Sequence, residues 1–254
     1  MNFLTLRSAA LSLALASSAA AALAADPNSF VLVKDGKNDG KATYSIDTAK
    51  DGYHIKSRYE YHLTVAPSAT STTSFSTINE AQFSNDYKVD LNGNYISGYT
   101  QNATNQMITS FQPNKTRDIV TVNQIQGGMS GGGKPLPLPR PDFLVAPDYD
   151  PSALQILLTT SLAHPHADSK YTFVVPGTGM GPKAANTIVY VSVQAQPDAN
   201  GTLDGKPITL KHFQMNYAKG KADLFTDADG KLMQADMGTL ATSYIRVKFV
   251  LAGQ

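Results

Sequence analysis

The chain has 254 residues, 42% of them hydrophobic and 16% charged, with a formal net charge of +1 and no cysteine. This composition excludes a disordered or collagen-like chain, and balanced charge without a charged block excludes a nucleic-acid footprint. The missing cysteine removes thiol catalysis, zinc–thiolate sites, disulfides and a lipid-modified N-terminal cysteine.

Residues 1–25 read as a signal peptide. Arg7 supplies the positive start, Ala9 to Ala16 a short apolar run, and Ala22-Leu23-Ala24 a small-x-small cleavage signature, with cleavage expected near Ala24 or Ala25. The apolar run is too short to span a membrane and no comparable stretch follows, so membrane association is expected to be at most peripheral. Loss of Arg7 brings the mature chain close to neutral. Residues 26–254 then read as a single β-rich exported domain, periplasmic or extracellular, large enough to bury a core without staples.

The clearest structural signal is Tyr53 to Val65. Tyr53, Ile55, Tyr59, Tyr61, Leu63 and Val65 point one way; His54, Lys56, Arg58, Glu60, His62 and Thr64 point the other. Such period-two alternation predicts a long antiparallel strand with one buried and one wet face. Lys41 to Asp47 precedes it across a turn at Lys50-Asp51-Gly52. Further strand-like runs follow: Tyr87 to Leu91 and Tyr95 to Tyr99 around Asn92-Gly93, then Met107 to Phe111 and Asp118 to Ile125. After these come Tyr171 to Val175, Thr187 to Ala195, Ile208 to Tyr217, Ala222 to Thr226, Lys231 to Asp236 and Ser243 to Val250. Turn residues punctuate nearly every gap, which predicts an antiparallel meander of about 10–11 strands.

One segment has a different period. Asp150 is an N-cap candidate, Pro151 suits the first helical position, and Leu154, Leu157, Leu158 and Leu162 recur at helical spacing. The expected fold is therefore mainly β: a curved antiparallel sheet or half-open barrel wrapped around one helix that ends near His164-Pro165.

Gly127 to Pro141 reads as a Gly/Pro-rich loop joining the strand-rich first half to the helix. Gly128 to Lys134 fits the start of a phosphate-binding loop, but Pro135 stands where the magnesium-holding Ser or Thr belongs. The prolines at 135, 137, 139 and 141 also forbid the helix that would follow. Their spacing contains no P-x-x-P for a polyproline reader. Gly177 to Gly181 lies between strand-like runs and reads as a hairpin loop. Ala66 to Thr77, rich in Ser and Thr, reads as another loop.

No cofactor or metal is implied. Asp227-x-Asp229-Gly230 resembles a calcium loop but lacks the third acidic ligand and the distal Glu, so Asp229-Gly230 is expected to be a type I′ hairpin turn. His164 and His166, with Asp168 nearby, form the tightest histidine pair, yet a catalytic zinc site needs three ligands and a base. No G-x-S-x-G elbow occurs, and no carboxylate pair can be singled out for glycoside hydrolysis. No catalytic residue emerges. A transmembrane β-barrel would suit Lys56, Arg58 and Glu60 as a wet lumen face, but the central helix and the prolines fit it poorly.

From Phe30 to about Val250 the chain resembles a group of uncharacterised secreted bacterial β-sheet proteins. The likeness rests on Gly40-Lys-Ala-Thr-Tyr44-Ser-Ile46, the strand Tyr53 to Val65 and the hairpin Phe225-Thr-Asp-Ala-Asp-Gly-Lys-Leu232. The helix after Asp150 and Phe173-Val-Val-Pro176 add to it. The resemblance implies a half-open barrel similar to periplasmic lipoprotein carriers, which hold acyl chains in an apolar concavity; it supplies no catalytic residues. On this reading the expected ligand is an apolar small molecule or lipid, lined by Tyr59, Tyr61, Leu63, Leu154 and Leu158. The alternative is a structural or protein-interaction component of the cell envelope, binding another envelope protein through strand edges or the Gly/Pro segment.

Overall fold

The computed structural model describes residues 28–65, 77–147, 150–163, 170–176, 186–217, 220–238 and 242–253. The expected signal peptide, His164, His166, Asp168, the 177–181 glycine cluster and residues 66–76 lie outside them. The described chain is mainly β, one curved and unclosed sheet around a single helix. No described helix is long and apolar enough to cross a membrane.

The strands run β1 (Ser29–Lys34), β2 (Lys37–Ala49), β3 (Gly52–Val65), β4 (Thr77–Asp90), β5 (Tyr95–Asn102), β6 (Met107–Pro113), β7 (Ile119–Gln126), β8 (Met129–Pro137) and β9 (Leu144–Val145). After helix α1 (Pro151–Ala163) come β10 (Lys170–Val175), β11 (Thr187–Leu203), β12 (Lys206–Tyr217), β13 (Gly220–Thr226), β14 (Leu232–Asp236), β15 (Thr242–Arg246) and β16 (Phe249–Leu251). In space the order is β8 through β1, then β15 down to β9, with β16 added to the distal end of β11. The two halves of the chain are thus two meanders joined where β1 pairs with β15. Among the described residues there are sixteen strands, more than expected. β1 is an unalternated apolar run (Phe30-Val-Leu-Val33) without turn signals before it, and β9 and β16 are only two and three residues long.

The Gly127–Pro141 segment departs most from expectation. Gly127 and Gly128, both at positive φ, form a tight turn, and Met129–Pro137 returns along β7 as the edge strand β8. The reason lies in the two-residue proline spacing. Leu138 N–H donates to Asp118 O at 2.7 Å, so even-numbered amides face β7 and positions 135 and 137 face outward, where no partner needs a donor. Missing outward amides also blunt the edge against strand addition. Restoring them with Pro135→Val and Pro137→Val is expected to promote self-association. Sedimentation velocity over a concentration series should show a steeper rise in mean mass than in the parent.

Residues 138–143 then carry the chain from the β8 edge toward the opposite edge, β9. Tyr95 N–H donates to Phe143 O at 2.8 Å, and Arg117 donates to Pro141 O and Tyr95 O at 2.9 and 2.8 Å while lying 5.2 Å from the Phe143 ring centre. This connection spans the gap that sheet pairing leaves open.

The main core lies between the inward sheet face and α1, which packs against β2, β3 and β14. Residues 151–158 of the helix are all buried, so it is enclosed and not merely laid on the sheet by one stripe. Leu162, expected within the apolar stripe, is 54% exposed because the last turn extends past the packed region. A second small core (Leu210, Phe225, Met233 and Phe249) forms on the other sheet face, where the β11–β12 hairpin tip and β16 fold over. The hairpin at Asp229-Gly230 also differs from expectation. Only Gly230 has positive φ there, so it is not a type I′ turn, and at Asn92-Gly93 likewise only the glycine has positive φ.

Candidate functional site

The helix is seated by buried polar groups. Asp150 caps it: Oδ1 accepts from Ser152 N at 2.9 Å, and its carbonyl accepts from Ala153 and Leu154 N. Its Oδ2 accepts from Ser57 Oγ on β3 and from Asn85 Nδ2 on β4, the latter at 2.7 Å. Asn85 Nδ2 also donates to Ser57 Oγ at 2.8 Å. Burial raises the Asp150 carboxyl above its ordinary range, outweighing the donors from Ser57, Ser152 and Asn85 that favour the anion. Burial likewise pushes the Tyr87 phenol up, with the Asp150 charge adding to it.

A second anchor lies one turn on. Gln155 Oε1 accepts from Tyr44 OH at 3.0 Å and from Leu232 N at 2.7 Å, and its Nε2 donates to Gly230 O at 2.8 Å. The Asp-x-Asp-Gly motif is therefore a helix anchor. Asp227 Oδ1 accepts the amides of Asp229 and Lys231, closing the turn internally. Ser57 and Asp150 are both buried, and among the described residues no imidazole is hydrogen-bonded to either.

Four of the five expected ligand-lining residues can be placed by their side chains. Tyr59 is 2% exposed, stacked on Phe83 at 4.9 Å, and Leu154 and Leu158 are 0% exposed. All three belong to the packed core. Tyr61 is half-buried and stacks on Phe83 at 5.6 Å. Leu63 lies on β3, and its side chain is outside the described set. Two recesses border this interior, one beside the helix at Leu157 and Thr160 and one beside Tyr59 and Phe83. Their volumes are about 20 and 10 Å³, room for a water and not for an acyl chain.

A larger concavity of about 420 Å³ lies on the opposite side of the first three strands. Ser29 and Val31 of β1, Lys41 and Thr43 of β2, and Glu60 and His62 of β3 line it. These side chains alternate with the buried ones of Phe30, Ala42 and Tyr59, so the groove opens outward, with Phe30, Asn38, Gly40 and Ala42 bordering it as well. Val247, after β15, borders one end, and Tyr61 also borders it. The sheet is irregular here. Leu32 pairs with Gly40 and Val33 with Asn38, leaving Asp39 as a bulge residue. Gly40 permits the close strand approach, since a Cβ there would sit 1.9 Å from Glu60 O.

Lys41 Nζ is 2.9 Å from Glu60 Oε1, and His62 Nδ1 is 2.8 Å from Asp39 O. Elsewhere His54 pairs with Asp86 at 2.7 Å and His212 with Asp223 at 2.8 Å, each a cross-strand contact. Among the described residues no three His, Asp or Glu side chains gather as a metal site. The groove was hidden in the sequence because Lys41, Glu60 and His62 read as a solvated face. The visible hint was Asn38-Asp39-Gly40, which interrupts the alternation at the bulge.

Fold and groove together define a class: a curved-sheet protein built around a buried helix, with a small mixed-polarity recess on its outward face. Comparison with family models, curated proteins and solved structures found no match.

Proposed function

We propose that this is an exported, non-enzymatic binding protein that takes the apolar part of a small ligand into the outward groove of β1–β3. One observation carries the reading. At about 420 Å³ the groove falls within the usual range of small-molecule sites, whereas the recesses beside the helix are more than tenfold smaller. The likeness to lipoprotein carriers supports an apolar cargo. The filled interior around the helix favours the outward groove for that cargo.

Titration with N-phenyl-1-naphthylamine, a neutral apolar fluorophore, tests this. Saturable binding is expected, and Val31→Trp, which fills the groove, should weaken it at least about fivefold, as loss of most of the buried apolar contact would. Undiminished binding by a folded Val31→Trp protein would remove the groove from consideration.

A second reading, an interaction component of the cell envelope, has its own support. On the outward face of β5–β7, Ile108 pairs directly with Ile125, and Tyr99, 40% exposed, shares that face. Capture of an envelope protein by the parent and not by Ile125→Lys would favour it.

A further inference from the structure

The polar wall of the groove is electrically balanced, and this bears on the head group of its ligand. The inference rests on the groove being the ligand site. One cation and one anion line it, Lys41 and Glu60, directly opposite each other on β2 and β3 and paired at 2.9 Å. An ammonium ligand would compete with Lys41 for that carboxylate, and a carboxylate ligand with Glu60 for that lysine. Either leaves one charge of the pair unmatched beside the apolar Val31 and Val247. The uncharged groups are mixed as well. Ser29 and Thr43, opposite each other on β1 and β2, bring two hydroxyls that can donate or accept. Asn38 Oδ1 accepts from Gly40 N at 3.2 Å, which leaves its Nδ2 as a donor. A carbonyl only accepts, so the 2.8 Å contact to Asp39 O puts the proton on His62 Nδ1 and leaves Nε2 of the neutral ring as an acceptor.

We propose that the groove binds an uncharged molecule that carries several hydroxyls on a sugar-sized ring, joined to a short apolar body. A hydroxyl donates and accepts at once, so it matches donors and acceptors set side by side. One hydroxyl accepts from Lys41 Nζ while its neighbour donates to Glu60, and the ion pair stays intact. Lys41 and Thr43 are two residues apart on β2, a spacing of about 7 Å. A single alcohol or amide reaches one of these points; a ring bearing several hydroxyls reaches both. The apolar body covers Val31 and Val247.

The test compares four probes with one alkyl chain: hexyl β-D-glucopyranoside, 1-hexanol, hexylamine and hexanoate. Each is titrated into the ¹⁵N-labelled full chain, following the amide signals of Val31, Lys41, Thr43 and Glu60. The glucoside should bind about tenfold tighter than hexanol, the effect of two hydrogen bonds at a partly exposed site, and tighter than both charged probes. Its affinity should hardly change with salt. Thr43→Val, which removes the hydroxyl and keeps the shape, should weaken the glucoside about threefold and leave hexanol unchanged. Glu60→Gln leaves Lys41 unpaired, so the glucoside should lose ground to hexanoate. Amide spectra establish that both variants are folded. If glucoside and hexanol bind alike, or if either charged probe binds best, the head-group inference is overturned and the groove reading stands. If no probe shifts these residues, the groove reading itself fails, and the inference with it.

Discussion

Replacing Asp150 with alanine is expected to lower folding stability by about 3–5 kcal/mol, measured by urea unfolding at neutral pH. Loss of the helix cap alone costs about 0.5–2 kcal/mol. The change also strips Ser57 and Asn85, both buried, of a common acceptor, and each orphaned donor costs about 1–3 kcal/mol. Asp150→Asn keeps cap and shape and should cost much less. A loss below about 1 kcal/mol for the alanine variant would mean that the polar cluster does not seat the helix.

The same residue predicts a pH dependence whose sign follows from its burial. Unfolded, Asp150 loses its proton near the ordinary aspartate value of about 3.9; folded, it holds the proton to higher pH. Between the two values the native state binds more protons, so stability falls as pH rises. Its contribution is complete below the unfolded value and lost once pH passes the folded one. Asp150→Asn should flatten this part of the profile, and parallel profiles for parent and variant would refute the assignment.

Leu158→Ala is the second large effect, with an expected loss of about 2–5 kcal/mol and a similar one for Leu154→Ala. Both side chains are 0% exposed and lie in the main core between helix and sheet. The measurement separates two roles. A leucine facing a vacant ligand cavity has few packing partners to lose, and its truncation would cost about 1 kcal/mol or less. A packed one loses transfer energy and leaves a void. The larger loss would agree with a filled interior and leave the outward groove as the place for a ligand.

The strands and helix with the strongest periodicity are legible in the sequence. Tyr53 to Val65 became most of β3, and Asp150 to Leu162 became the cap and body of α1. Alternation and capping are local chemistry, so local sequence reports them. β8 was not legible, because glycine and proline carry low strand propensity and their usual meaning is a loop. Only its position at the sheet edge, with amides 135 and 137 facing away from β7, makes prolines acceptable there. The core role of Tyr59, Leu154 and Leu158 was half legible. Their apolar face was plain, but filling by a helix and lining of a cavity give the same pattern in one dimension.

By itself the sequence determined which residues alternate, where the helix starts and that no thiol chemistry is available, since these follow from side-chain identity and spacing. Tertiary structure alone decided that β1 joins β15, that the helix fills the concave side, and that Val31, Lys41, Glu60 and His62 share one recess. The recess depends on cross-strand register and on a bulge at Asp39, which bring together β1–β3 residues up to about thirty positions apart, while the β1–β15 pairing joins Phe30 to Arg246. No local period encodes that distance, so the groove becomes visible only when the sheet is assembled.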